Sequence, residues 1–212
     1  MSGKPQFDEP AVIAAALDVF WRHGYTGASI NQLTEATGLS RSSLYQRFQD
    51  KDGLFQEALA AYIERVLHRA SAVRADTARE RLQALLREFI PADGGRSRKP
   101  PGCLLARSCS ELVDLPPAGQ SLVLAGLKRQ RAMIEELVSE GMANGELPPD
   151  SDAGALSWYY LGVLQSLLNL SPAGATAAQL RGVVEAAMAA WPEGASARHA
   201  RTRSDRIGQK QS

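Results

Sequence analysis

The chain has 212 residues, 44% hydrophobic and 22% charged, with a formal net charge of +1; this is the balance of a globular protein with one large or two modest domains, and it excludes a protein that coats nucleic acid through bulk charge. The most apolar stretch, Trp158 to Leu170, is too short to span a bilayer and carries Gln165, Ser166 and Asn169, and MSGKPQFDEP lacks the apolar core of a secretory signal, so a cytoplasmic protein with no membrane partner is expected. Two cysteines make no disulfide framework, and His23, His68 and His199 are scattered, so no metal, no cofactor and no catalytic constellation is expected, and the chain does not read as an enzyme.

Ala, Leu, Glu, Gln and Arg fill the segments and the prolines fall mostly between them, which reads as all-α. Glu9 to Gly24 is the first helix, with Ile13, Ala16, Leu17 and Phe20 on one stripe. Ser29 and Gln32 are spaced to cap a second, short helix reciprocally, with Ile30, Leu33 and Thr34 on one face. Gly38 supplies the freedom for a sharp reversal, Leu39 plugs the angle, and Ser40 caps the next helix. That helix, Arg41-Ser42-Ser43-Leu44-Tyr45-Gln46, has one aliphatic anchor at Leu44 and otherwise presents hydrogen-bonding groups. Two short helices around a glycine turn, after a longer first one, are the layout of a helix-turn-helix DNA-reading head.

A connecting helix from Lys51 to about Ala72 follows, with Leu54, Ala58, Ala61, Tyr62 and Arg65 tracking one side. Thr77 to Ile90 is helical and ends at Pro91, after which ADGGRSRKPPG reads as a loop. Cys103 to Val113 resumes helix and stops at Leu115-Pro116-Pro117. Ala118 to about Asn144 is a long amphipathic helix marked by Leu122, Ala125, Met133, Leu137 and Val138, with Gly145 as its C-cap. Asp152 to Leu170 and Ala177 to Trp191 are the last two. The expected domains are 1–55 as the DNA-binding head, 56–191 as a helical regulatory and dimerisation domain, and 192–212 as a disordered tail of local charge +3.

Over residues 1–55 five cations, Lys4, Arg22, Arg41, Arg47 and Lys51, meet six carboxylates, a net −1. Three of the cations lie between Arg41 and Lys51 with only Asp50 opposing, a local +2 that suits few phosphate contacts. Arg41 matches the guanine O6/N7 edge and Gln46 the adenine N6/N7 edge, while Ser42 and Ser43 share the presented face and Tyr45 and Lys51 suit phosphates. The competing reading is a solvated helix in an all-α protein that meets a protein partner, supported by the acidic balance of the head.

Cys103 opens its helix after Pro101-Gly102, close in sequence to Arg96, Arg98, Lys99 and Arg107, so the positive end of the helix favours its thiolate. This suits a redox or electrophile sensor; the alternative is a small apolar core residue. Cys109 is about 240° further round the helix, so the two thiols cannot meet without unwinding its first turn.

From about Pro10 to Leu59 the chain resembles the N-terminal domain of the TetR family of bacterial transcriptional regulators. The likeness lies in AVIAAALDVFWRHGY, Ser29-Ile30, Gly38-Leu39-Ser40, Ser43-Leu44-Tyr45, Phe48, Lys51 and Leu54. Ala28 stands where the family often has Thr, and Arg47 where it often has His, so one phosphate-contacting hydroxyl is lost and a cation gained. The resemblance implies a double-stranded DNA operator, close to palindromic, contacted by Ser29, Arg41, Ser42, Ser43, Tyr45, Gln46, Arg47 and Lys51. It also implies a homodimer, assigned here to 152–170 and 177–191, and repression relieved by a small-molecule inducer in a site drawn from Phe89, Met133, Trp158 and Tyr159. Gly102-Cys103-Leu104-Leu105 is similar to the start of the sixth helix in some members, a few of which respond to thiol modification, so Cys103 is a second candidate sensor.

Overall fold

A computed structural model describes residues 7–91, 102–192 and 194. Most of the ADGGRSRKPPG segment and nearly all of the tail read as disorder, 192–212, lie outside the described residues. Among the described residues there are nine α-helices and no strand: α1 Glu9–Gly27, α2 Ile30–Thr37, α3 Arg41–Phe48, α4 Lys51–Ser71, α5 Ala78–Arg87, α6 Leu104–Ser110, α7 Pro117–Ala143, α8 Ala153–Leu170 and α9 Ala177–Ala189. A 3-10 turn, Leu112–Asp114, follows α6.

The helix starts are written in local cap chemistry. Ser29 accepts from the Gln32 N–H while the Gln32 side chain accepts from the Ser29 N–H, and Thr77 with Glu80 and Thr176 with Gln179 repeat this reciprocal pair at α5 and α9. Asp8, Ser40 and Asp152 cap α1, α3 and α8. Gly38 adopts φ +70° at the end of α2, the left-handed reversal that glycine makes cheaply.

The described residues divide into two compact units, the chain passing from one to the other within α4 and α7. The first holds 7–69 and 102–128. Its core joins Phe20 edge-on to Phe55 at 5.1 Å between centroids and Trp21 edge-on to Tyr62 at 5.0 Å, with Leu33, Leu44, Leu54 and Leu59 wholly buried. The second holds 70–91, 129–192 and 194. Here Trp191 fills the space left by Gly141, where a Cβ would lie 3.0 Å from its ring, and Tyr160, buried, donates to the Ala187 carbonyl at 3.4 Å. The Glu146 carboxylate caps α5 from a distance, accepting from the N–H groups of Ala78 and Arg79 at 3.0 and 3.1 Å.

Three stripes differ from the sequence expectation. On α1 the buried set is Val12, Ala16, Leu17, Val19, Phe20 and Trp21, with Ile13 half-buried, because α1 packs against both α2 and α6. On α4 burial falls on Leu54, Phe55, Ala58, Leu59, Tyr62, Ile63, Val66 and Leu67, and Ala61 and Arg65 are exposed. On α7 the innermost line is Gly119, Val123, Gly126, Gln130, Ile134, Val138 and Gly141, so Leu122, Met133 and Leu137 sit at its margin and Ala125 faces outward. Small residues make close approach possible on that line: a Cβ on Gly126 would lie 2.9 Å from Ile63 and 3.1 Å from Leu105.

Candidate nucleic-acid interface

Leu44 and Phe48, 0% and 3% exposed, fasten α3 to the head. That leaves Arg41, Ser42, Tyr45 and Gln46 exposed at i, i+1, i+4 and i+5, one contiguous face of two turns. Tyr45 is 40% exposed although it is aromatic. The Arg41 guanidinium donates to the Asn31 side chain of α2 at 3.2 Å, which pre-positions a long cation beside that face. Ser40 gathers the hydroxyls of Ser42 and Ser43 at 2.9 and 2.8 Å, so these are oriented by the cap. Ser29 Oγ is held within its capping pair, accepting from the Gln32 N–H at 3.2 Å and donating to Gln32 Oε1 at 3.0 Å.

Arg47 and Lys51 are engaged elsewhere in the head. Arg47 donates through Nε to Glu9 at 2.9 Å and through Nη1 to Glu57 at 2.9 Å, joining α3 to α1 and α4. The hydrogen bond to Glu9 leads the forces that hold Arg47 more firmly protonated than usual, and the same bond lowers the Glu9 carboxyl from its ordinary range. Lys51 Nζ donates to the carbonyls of Tyr25 and Ala28 at 3.0 and 3.3 Å and stands 4.3 Å from the Tyr25 ring centroid. The Tyr25 hydroxyl bonds Asp52; burial first, and that carboxylate second, push the phenol above its usual range. An ammonium has three donors, so one donor of Lys51 remains beyond these two carbonyls.

Sequence reasoning missed two members of this surface. Asn31 orients Arg41, and Gln49, exposed at the end of α3, is a non-glycine residue at φ +70°. The only sequence signal for Gln49 is its place between the last apolar anchor of α3 and the aspartate before α4.

The sensor and pocket candidates fall in different surroundings. Cys103 is the N-cap of α6, as expected, yet is 4% exposed, and burial pushes its thiol up despite the N–H groups of Leu105 and Ala106 and its hydrogen bond with Tyr62. The expectation of a favoured thiolate is therefore overturned: loss of water outweighs the helix end. Arg96, Arg98 and Lys99 lie outside the described residues. Cys109 donates to the Leu105 carbonyl at 3.1 Å, and burial pushes it up to about 11. In the second unit Phe89 and Met133 are half-buried, whereas Trp158 and Tyr159 stand 62% and 44% exposed on the outer face of α8. Arg131 covers one face of Trp158 at 5.1 Å.

Residues 12–58 match the family model for bacterial regulatory proteins of the tetR family, and residues 78–188 match that for the tetracyclin repressor-like C-terminal domain. The HTH-type transcriptional repressor ComR of Escherichia coli K12 is 28% identical over 199 residues, covering 90% of this chain and 92% of the relative. A cysteine-substituted TetR family transcriptional regulator CifR, solved with a 26-base-pair double-strand operator DNA, is 33% identical with a TM-score of 0.79, over 90% of this chain and all of that one. A TetR family regulator from Cytophaga hutchinsonii shares the fold at 22% identity and a TM-score of 0.76, over 86% of this chain and 94% of its own.

Proposed function

Since the chain belongs to the TetR family of bacterial regulators and is a DNA-binding transcriptional regulator, we propose that it is a homodimeric repressor whose α3 helices read the two halves of a near-palindromic operator and release it when a small molecule binds the helical C-terminal region. The exposed face of α3 carries this reading. Arg41 and Gln46 contact base edges, Ser42 and Ser43 bond to bases or phosphates beside them, and the Tyr45 hydroxyl and the remaining proton of Lys51 hold phosphates. Arg47 and Ser29 act one step back, by fixing α3 and α2.

Two heads that read successive major grooves must be held about 34–36 Å apart. The outer faces of α8 and α9 suit that task. Trp158, Tyr159 and Leu170 are large and exposed on α8, and neither Gly162 on α8 nor Gly182 on α9 has an atom within 4 Å of where a Cβ would stand. A second copy covers this stripe in the proposed dimer.

The inducer acts by binding the released state better than the operator-bound state, since a ligand indifferent to the two shifts nothing. Buried thiols that hold their protons make oxidation the weaker trigger. The test is titration of the purified protein with DNA flanking its own gene, with and without a mild oxidant. Tight, sequence-selective binding that survives oxidant supports this reading; release by oxidant and recovery with reductant transfers the trigger to Cys103; no selective binding overturns the operator reading.

A further inference from the structure

Nothing in the sequence marks Glu111, the residue that closes α6, yet it reaches into the head. Its Oε2 accepts from the Tyr25 N–H at 2.7 Å and, more weakly, from the Thr26 N–H at 3.4 Å, across 86 and 85 residues of chain. These donors are orphaned because α1 breaks at Gly24, whose φ of +76° and ψ of 177° leave the helix. The missing side chain of Gly24 admits the carboxylate: a Cβ there would lie 1.8 Å from Glu111 Oε1 and 2.7 Å from its Cδ. Arg107 stands 3.6 Å from the same Oε1.

The turn so held is the connection from α1 into the reading helices. Lys51 grips it from the other side through the carbonyls of Tyr25 and Ala28, and Ser29 then begins the capping pair of α2. The N–H side of the connection is thus fixed by the end of α6 and the C=O side by the start of α4.

We infer that Glu111 is a positioning residue for DNA reading: its carboxylate on Tyr25 and Thr26 sets where α2 and α3 begin and carries the state of residues 103–111 into the head. This rests on the operator-binding function proposed for the chain. The coupling is steep. A bond of 2.7 Å to an ionised acceptor is among the strong ones, and a displacement of about 1 Å carries it past useful hydrogen-bond distance.

The experiment is hydrogen–deuterium exchange on the full chain, free and with the duplex flanking its own gene, for wild type, Glu111→Ala, Glu111→Gln and Gly24→Ala. In wild type the duplex slows exchange in both 24–29 and 104–114. In free Glu111→Ala, exchange at Tyr25 and Thr26 rises about tenfold, duplex affinity falls, and the duplex no longer slows 104–114. Glu111→Gln keeps an oxygen acceptor and restores most of that protection, whereas Gly24→Ala, whose new methyl displaces the carboxylate and also strains a backbone at φ +76°, loses at least as much as Glu111→Ala. If Glu111→Ala does not fold, Glu111→Asp, whose carboxylate stops one methylene short of the Tyr25 N–H, takes its place in the contrast with Glu111→Gln. Unchanged exchange at 25–26 in these variants overturns the latch, and faster exchange with the link between duplex and 104–114 intact overturns the coupling. A wild type that binds no duplex overturns the operator reading and the coupling with it, while exchange in the free protein still judges the latch.

Discussion

Arg47 Nε donates to Glu9 at 2.9 Å, so the cation nearest the end of α3 is bound to the first turn of α1 rather than held out for DNA. With Glu57 on its other side, Arg47 meets two carboxylates, and its charge is compensated before any phosphate arrives. Arg47→Ala should therefore weaken operator binding by loosening α3 while leaving the slope of log affinity against log salt unchanged, because no counterion is released on its account. A slope shallower by about 0.9 would instead identify Arg47 as a phosphate contact.

Arg41 and Gln46 should behave differently from Tyr45. Replacing either with Ala is expected to cost about 1–3 kcal/mol on the cognate duplex and much less on unrelated DNA, because a base-edge contact carries sequence information. Tyr45→Phe removes only a hydroxyl from an exposed ring and should weaken all duplexes by a similar factor. Fluorescence anisotropy on cognate and scrambled duplexes separates these outcomes. Equal losses on both duplexes for Gln46→Ala would reassign it to the phosphates.

The exposed glycines offer a test of the dimer in which the sign is informative. Gly162 lies inside α8, and no atom of its own protomer stands within 4 Å of a Cβ. Gly162→Leu should leave the isolated protomer as stable or better, since glycine costs about 0.8–1.0 kcal/mol relative to good helix formers in a helix interior. In a dimer packed through this face the same side chain intrudes between helices, so sedimentation equilibrium should show monomers and the operator affinity should collapse. A dimer that persists unchanged would move the interface away from α8.

What the sequence disclosed follows from how local each cause is. The starts of α2, α5 and α9 depend on residues three apart, as in Ser29 and Gln32. Gly38 ends α2 through its own φ. These causes lie within one turn of chain and can be read from it. The buried faces of α1, α4 and α7 were placed less well, because periodicity identifies a stripe only when one side of a helix is covered, and α1 packs against both α2 and α6. The partners of Arg47 lie 10 and 38 residues away and the acceptor of the Tyr25 N–H lies 86 away, and no local pattern records them. Cys103 fails in the same manner: its helix end and cations are visible in sequence, but the burial that outweighs them is a property of the assembled core.

That burial gives a prediction about alkali and thiol reagents. The Cys109 thiol keeps its proton up to about 11 against an ordinary 9.0, and the Cys103 thiol and Tyr62 phenol shift in the same direction through desolvation. Between those two values the unfolded chain has released a Cys109 proton that the folded chain retains. Stability is therefore fully present below about pH 9 and falls as pH rises toward about 11. Thermal melts across this range should show Tm dropping, and Cys109→Ser should flatten part of the drop. Alkylation by iodoacetamide should follow the same titration: slow at neutral pH, rising about tenfold per pH unit until the thiol ionises, with Cys103 slower than Cys109 because it is the more buried. Fast labelling of Cys103 at neutral pH, with the fold intact by circular dichroism, would show that its thiol opens to solvent in the native ensemble, and oxidation would then return as the trigger for release from the operator.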